Sequence, residues 1–366
     1  MRMKGILKAV LFRFVAIVFG LLIAALLGEV ALRLIMPSRL ARGRDEHAFF
    51  CRFDRQLGWA PLENITAVHS GKRATSVVHQ NQYGMRGPDD IQLNKTSGEK
   101  RVLVLGDSYV WGFGVDQSKL FSAPEVHGNN EELLNFGVSG YGTDQEYLLY
   151  LRKGKDFVLD EVVVAFTPYN DVANNLASEQ YSHLKSYFTL EGGQLVLHDD
   201  HVRQKKFNSM INALNRHSRV LNALSELVRM VEDAVNPAKP KEFASETVTD
   251  KDRAGVELTV AILKKLQEAV AAHNADFYVI FIPYQPHIEK RLPDNHPLVP
   301  LIAAGLTRAG IRYREPYPEF VKAAVAGTHP FNDPDNHFSA EGHALFAKFL
   351  TDNEEARASV DYYAHH

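Results

Sequence analysis

The sequence predicts an α/β fold, a three-layer α/β/α sandwich around a mostly parallel central sheet, preceded by one N-terminal transmembrane helix. The run 102–105 is short, branched and continuously apolar, as expected of a parallel strand buried on both faces, and further strands are read at 133–136, 161–166 and 277–282. Helical patterns at 144–153 and 253–272 lie between such runs and another follows at 340–350; strands spaced by helices imply parallel pairing through crossovers. The transmembrane helix is read from a basic and then apolar start.

At that start, Arg2, Lys4, Lys8 and Arg13 precede the uncharged run 14–28, which is followed by Glu29, Arg33 and Pro37. The run is short for a bilayer, which needs ~17–25 residues, but a helix over 6–36 lets Lys8, Arg13 and Arg33 snorkel. No clean small-x-small site follows Leu27, so an uncleaved signal anchor over 1–36 is expected rather than a cleaved signal peptide. The basic residues ahead of the run predict an N-terminus in the cytoplasm and the remainder of the chain on the extracytoplasmic (periplasmic) side. Arg33, Arg39, Arg42 and Arg44 pull the other way.

Residues 37–99 show no strong period. Leu57-Gly58-Trp59 and the stretch 81–88 read as turns in a connecting segment that packs on a domain edge, with a structural role. Asn64-Ile65-Thr66 and Asn94-Lys95-Thr96 match the glycosylation sequon, a pattern short enough to arise by chance. The main domain is expected over 100–352, with an insertion at about 181–252 and a tail at 353–366. In order, it reads as strand 102–105, a helix near Glu125, strand 133–136, helix 144–153 and strand 161–166. The insertion carries a hairpin, 188–190 with 194–197, around Glu191-Gly192-Gly193, and then one amphipathic helix over about 207–234. Residues 236–252, polar and proline-bearing, are the expected mobile loop. Helix 253–272, strands 277–282 and 311–313, and helix 340–350 resume the alternation.

A length of 366 residues allows one large domain plus accessories, since single cores stop growing near ~250–300 residues. The formal net charge of -3 argues neither for nucleic acid nor for an acidic ligand, and no nucleic-acid partner is expected. A single cysteine, Cys51, excludes an intrachain disulfide and a cysteine-rich zinc site.

Chemistry concentrates at RVLVLGDSYVWGFGV, 101–115, where a buried strand ends in Gly106-Asp107-Ser108. Gly106 lets the chain turn, so that Ser108 sits at the carboxyl end of the sheet, where open α/β folds place their ligands. A serine hydroxyl needs an adjacent base to attack a carbonyl carbon. His337 is the candidate base, and Asp335 the acceptor that holds its other nitrogen, with Asp333 as fallback. Read structurally instead, Asp335 and His337 would cap the helix that starts near Ser339, Asn170-Asp171 would be a turn or N-cap pair, and Gly140 and Gly142 would only permit positive φ. His183, His198, His201 and His343 are expected to be surface or packing residues. No His/Asp/Glu cluster has metal spacing, so neither metal nor cofactor is expected.

Four segments taken together, Gly106-Asp107-Ser108, 135–142 (NFGVSGYG), 167–171 (TPYND) and 333–338 (DPDNHF), resemble the signature blocks of the SGNH (GDSL-type) hydrolase superfamily over about 100–350. The resemblance implies a flavodoxin-like sandwich and an oxyanion hole formed by the backbone amides of Ser108 and Gly140 with the side-chain amide of Asn170. It implies a serine esterase that removes a short acyl group such as acetyl from a glycan or related ester. An O-acyltransferase of cell-surface polysaccharide and a catalytically silent glycan-binding module are the alternatives. The chain departs from the pattern in two places. Tyr169 stands where the family carries glycine, and Asp335-x-His337 replaces the widespread Asp-x-x-His, which is similar to alginate O-acetyltransferase-like proteins. No Gly-x-Ser-x-Gly elbow surrounds Ser108, which disfavours an ordinary α/β-hydrolase.

Overall fold

The computed structural model describes residues 2–36, 40–43, 45–70, 75–95, 98–128, 131–203, 206–236, 247–332 and 336–351. Helix α1 (Arg2–Ile35) contains one stretch, Lys8–Ile35, long and apolar enough to cross a membrane. The protein covers α1 only in part, at Gly28, Glu29 and Leu32. The connecting segment forms β1 (Arg42–Gly43), α2 (Glu46–Phe50), β2 (Cys51–Asp54), β3 (Gly58–Pro61), β4 (Ile65–Ser70) and β5 (Thr75–Gln80). Strands β2 and β3 pair as a hairpin, and β1, β4 and β5 form a three-stranded sheet. Two of these strands hide their period in different ways: all four residues of β3 are buried, while β5 alternates in burial but places polar Ser76 and Gln80 inside and Val77 outside.

The chain continues through β6 (Lys100–Gly106), α3 (Ser108–Trp111), α4 (Pro124–His127), β7 (Glu131–Gly137), α5 (Thr143–Arg152), β8 (Glu161–Phe166) and α6 (Pro168–Asn175). The insertion supplies β9 (Glu179–Gln180), β10 (His183–Leu184), β11 (Tyr187–Glu191), β12 (Gln194–His198), α7 (Lys206–His217) and α8 (Arg219–Val235). Then come α9 (Asp250–Ala271), β13 (Asp276–Phe281), α10 (Gln285–Glu289), α11 (Val299–Ala309), β14 (Tyr313–Arg314), α12 (Tyr317–Val325) and α13 (Ala340–Thr351).

The central sheet has the order β14-β13-β8-β6-β7, with every pairing parallel. Side-chain alternation along its strands builds two cores. Leu103, Leu105, Val162 and Val164 face one layer with α5, α9 and α11, while Val102, Val104, Val163 and Ala165 face the other with α12 and α13. This is the predicted three-layer α/β/α sandwich. Numbered along the chain, the strand order is 2-1-3-4-5, and the order reverses between β6 and β8, where ligands bind in such sheets.

Three expectations are corrected. The single helix over 207–234 is two helices, because Ser218 is extended (φ -100°, ψ 123°) and its hydroxyl caps α8 through the Leu221 N–H. The last strand is only Tyr313–Arg314, shifted from 311–313. Helices α10, α11 and α12 occupy a region read as having none; each has proline in its first turn, where the missing N–H costs nothing. Most of the expected mobile loop lies outside the described residues. Its end begins α9 through a capping box between Thr249 and Asp252.

The insertion is tied to the sandwich by an ion pair between Lys185 and Asp144, both fully buried. Removing one partner of a buried pair strands the other's charge. Lys185→Met is therefore expected to lower stability by about 3–5 kcal/mol in urea unfolding, and adding Asp144→Asn should restore part of the loss.

Candidate active site

The serine is positioned by a close approach of backbones. At Gly137, the last residue of β7, a Cβ would lie 2.2 Å from the Trp111 nitrogen and 2.5 Å from the Val110 carbonyl carbon. Only glycine lets α3 lie directly on the strand end. Gly106 does not hold a positive φ; its role is space, since a Cβ there would lie 2.3 Å from Val110 Cγ2. Asp107 caps α3 by accepting the Tyr109 N–H (2.9 Å). The far end of α3 is held by buried Arg86, which donates to the carbonyls of Trp111 (2.9 Å), Gly112 (2.7 Å) and Val115 (2.8 Å).

Ser108 Oγ lies 2.8 Å from His337 Nε2. The histidine comes from a loop pinned on both sides. Asn332 donates its backbone N–H to the His337 carbonyl (2.8 Å) and its side-chain amide to the Phe338 carbonyl (3.0 Å). Asn336 adopts φ 67°, a left-handed conformation that asparagine tolerates, and its carbonyl accepts the Tyr109 hydroxyl (2.5 Å). Because Tyr109 spends its one proton there, Tyr169 is the donor of the 2.6 Å bond between the two phenols. Tyr169 thus braces the histidine loop. Phe113 stacks on the His337 ring at 4.5 Å. Asp335 and Asp333 lie outside the described residues.

Asn170 donates to Asp107 Oδ2 (2.7 Å) and accepts from Asn174 Nδ2 (3.3 Å), which leaves its amide a second N–H. Asn174 also reaches the Tyr141 carbonyl (3.4 Å), linking Asn170 to the loop that holds Gly140. Gly140 has φ 77°, and the N–H groups of Gly140 and Ser108 have no hydrogen-bond partner among the described residues. The preceding carbonyl, of Ser139, accepts from His47 Nε2 (2.8 Å) and Trp59 Nε1 (3.2 Å). A trans peptide is planar with its C=O and N–H opposed, so these two donors also set the direction of the Gly140 N–H. Tyr181 (φ 50°) and Ser182 (φ 62°), consecutive left-handed residues of the insertion, place the Tyr181 ring over Gly140, where a Cβ would lie 2.4 Å from Tyr181 Cε2. Such conformations are costly and collect at functional sites.

Sequence reasoning assigned the connecting segment to structure alone and missed His47, Trp59 and Arg86. No local signal marks them, because they act across long chain separations. The capping role of Asp107 was also missed, although an aspartate directly before the first helical residue is a local signal for it.

Behind the serine, Asp107, Asp144, Glu146 and Asp171 are all buried. Burial raises each carboxyl, those of Glu146 and Asp171 well above the usual range, and the neighbouring acids push these two further. Neither Glu146 oxygen has a hydrogen-bond partner among the described residues. His343 is buried between Phe121 and Phe338, and burial first, then Arg86 and His337, hold it down to about 3. His183 lies near the His47 and Trp59 rings, whereas His198 and His201 pack on Tyr187 in the insertion. Ligand atoms of Asp45, Glu46 and His47 lie within 4.8 Å of one another, but each has a structural partner: Asp45 caps α2, Glu46 accepts the Ser139 hydroxyl, and His47 holds the Ser139 carbonyl.

No family model matches the chain, and no curated protein matches it. Among solved structures it is similar to TesA, with 12% identity over 69% of this chain and 98% of that one and a TM-score of 0.36. It is likewise similar to a lipolytic G-D-S-L family member from Veillonella parvula (14%, 69% and 98%, TM-score 0.36) and to a lipase/acylhydrolase from Enterococcus faecalis (13%, 70% and 96%, TM-score 0.35). Scores this low carry no argument, so the functional reading rests on the geometry above.

The acid cluster predicts a pH dependence. A carboxyl raised by folding contributes stability that is present below the ordinary value of about 4.3 and is lost as pH rises through the folded value. Glu146→Gln is therefore expected to be more stable than the parent at neutral pH, by about 1–3 kcal/mol, with the difference shrinking toward acid in urea melts.

Proposed function

We propose that the protein is a membrane-anchored serine esterase of the SGNH type, which removes a short acyl group such as acetyl from a glycan or related ester. The observation that carries this reading is the 2.8 Å contact of Ser108 Oγ with His337 Nε2 at the switch point of a parallel sheet, beside two backbone N–H groups with no partner among the described residues. His337 takes the serine proton as Oγ attacks the ester carbonyl carbon. The Ser108 and Gly140 amides and the second Asn170 N–H receive the negative charge that develops on oxygen. The protonated histidine returns its proton to the leaving alkoxide, and water then releases the acid from the acyl-enzyme by the same steps. From the sequence pattern we assign the role of holding the other nitrogen of His337 to Asp335, with Asp333 as the alternative.

A cavity of about 520 Å³ adjoins His47 and Trp59 and is also lined by His183, Arg52, Arg203 and Arg216. Its aromatic and polar wall and its size suit a sugar ring. The connecting segment would thus serve both the oxyanion hole and substrate binding. For the anchor, Glu29 of α1 accepts the Ser218 hydroxyl (3.0 Å) and the Val220 N–H (3.1 Å), and Arg33 donates to the His217 carbonyl (2.8 Å). These bonds favour a helix kept after export. The basic N-terminal flank favours a catalytic domain on the extracytoplasmic side.

With the full chain in detergent, p-nitrophenyl acetate should be hydrolysed with a Ser108-linked acetyl adduct in intact mass, and Ser108→Ala should lose about 10⁴–10⁶-fold in kcat. Equal rates for the two proteins would sink the esterase reading. An adduct that water releases slowly and an oligosaccharide releases fast would make the protein an O-acyltransferase. The double change His47→Phe, Trp59→Phe should lower kcat roughly 10–100-fold, because it frees the Gly140 peptide, and should also raise KM for a glycan ester, because both side chains line the cavity.

A further inference from the structure

Helix α8 is amphipathic with its faces reversed. Polar residues of its first half turn toward the protein: Asn222 is 3% exposed and bonds both the N–H (3.1 Å) and the carbonyl (2.6 Å) of Arg42, and half-buried Glu226 pairs with the Arg42 guanidinium (3.2 Å), while Glu232 near its end is exposed. Its apolar residues turn outward: Leu224, Leu227, Val228, Met230, Val231 and Val235 are 54–71% exposed. Helix α7 continues the pattern with exposed Met210, Ile211 and Leu214. A helix of a water-soluble domain hides its apolar stripe, and an exposed apolar patch of this extent marks a contact with an apolar phase or partner.

The position of the hairpin identifies that phase. The junction of α7 and α8 is fastened to α1 where the apolar stretch ends, through the Glu29 and Arg33 bonds and a further one from Arg219 to the Met36 carbonyl (2.8 Å). Val220 packs against Gly28 so closely that a Cβ there would lie 3.3 Å from its Cγ2. Arg33, Arg216, His217 and Arg219 line a cavity of about 320 Å³ at this junction, at the level where lipid headgroups surround an emerging helix. We infer that the α7–α8 hairpin lies in the surface of the membrane that α1 crosses, its apolar face embedded at the headgroup–acyl boundary, so that the catalytic domain is held against the bilayer at two places. The inference rests on α1 being retained as the anchor.

The test uses the full chain with Cys51→Ala, reconstituted in phosphatidylcholine–phosphatidylglycerol vesicles. One variant carries Leu227→Cys, and a control carries Glu257→Cys on the exposed side of α9; both are labelled with a polarity-sensitive fluorophore. The expected result is several-fold stronger quenching by spin-labelled lipids, with protection from aqueous iodide, at position 227 than at position 257. Adding Leu224→Ser and Val231→Ser, both at exposed positions, should reverse this protection while Ser108-dependent activity persists. Equal iodide access at the two positions overturns the inference while leaving the anchor intact. Protection from iodide without lipid quenching, varying with protein density, overturns it in favour of contact between copies. Failure of the chain to float with vesicles overturns the anchor and the hairpin together.

Discussion

The candidate site depends on a close approach of two backbones, α3 lying on the carboxyl end of β7 with only the hydrogen of Gly137 between them. That approach sets the height of Ser108 above the sheet. Neighbouring parts are built to hold it: Asp107 caps the start of α3, Arg86 gathers the carbonyls at its end, and Asn135 donates to the Val110 carbonyl (2.7 Å). A short helix has too few internal hydrogen bonds to hold its own geometry, so its orientation is imposed from both ends.

Much of the rest is positioning at one remove. His337 stands on a loop braced by Asn332 below and by the Tyr169–Tyr109 pair beside it. The Gly140 amide is aimed through the opposite side of its own peptide, by two donors from a segment that precedes the sandwich. These supports are rigid aromatic and amide groups already in place, which is how a site avoids reorganising as charge develops. The acids beneath them run against stability, since Asp107, Asp144, Glu146 and Asp171 crowd one buried region, relieved in part by Lys185. Their places at the starts of α3, α5 and α6 offset some of that cost through the helix dipoles.

The proposed membrane attachment and the candidate site meet in the insertion. Its early part presses Tyr181 onto Gly140, and its later part turns the apolar side of α8 outward beside α1. A single excursion between α6 and α9 therefore touches both the candidate oxyanion hole and helix α1. This arrangement would keep the site at a set height above a bilayer surface.

The sequence by itself determined the alternation of strands and helices, the apolar N-terminal helix and the serine at a strand's end. Each is a local pattern: β6 and β8 are continuous apolar runs, α1 is a long one, and Gly106-Asp107-Ser108 is contiguous. Only the tertiary structure decided what surrounds the serine. His47 and Trp59 meet Ser139 across 92 and 80 residues, and Arg86 reaches α3 from the far side of β6 in the chain. The break at Ser218 was hidden because serine is tolerated inside helices as well as at their caps. The reversal of α8 was hidden too, since periodicity reports that two faces differ and not which one points inward. That choice belongs to whatever lies on each side, here Arg42 on the polar face and, by our inference, lipid on the apolar one.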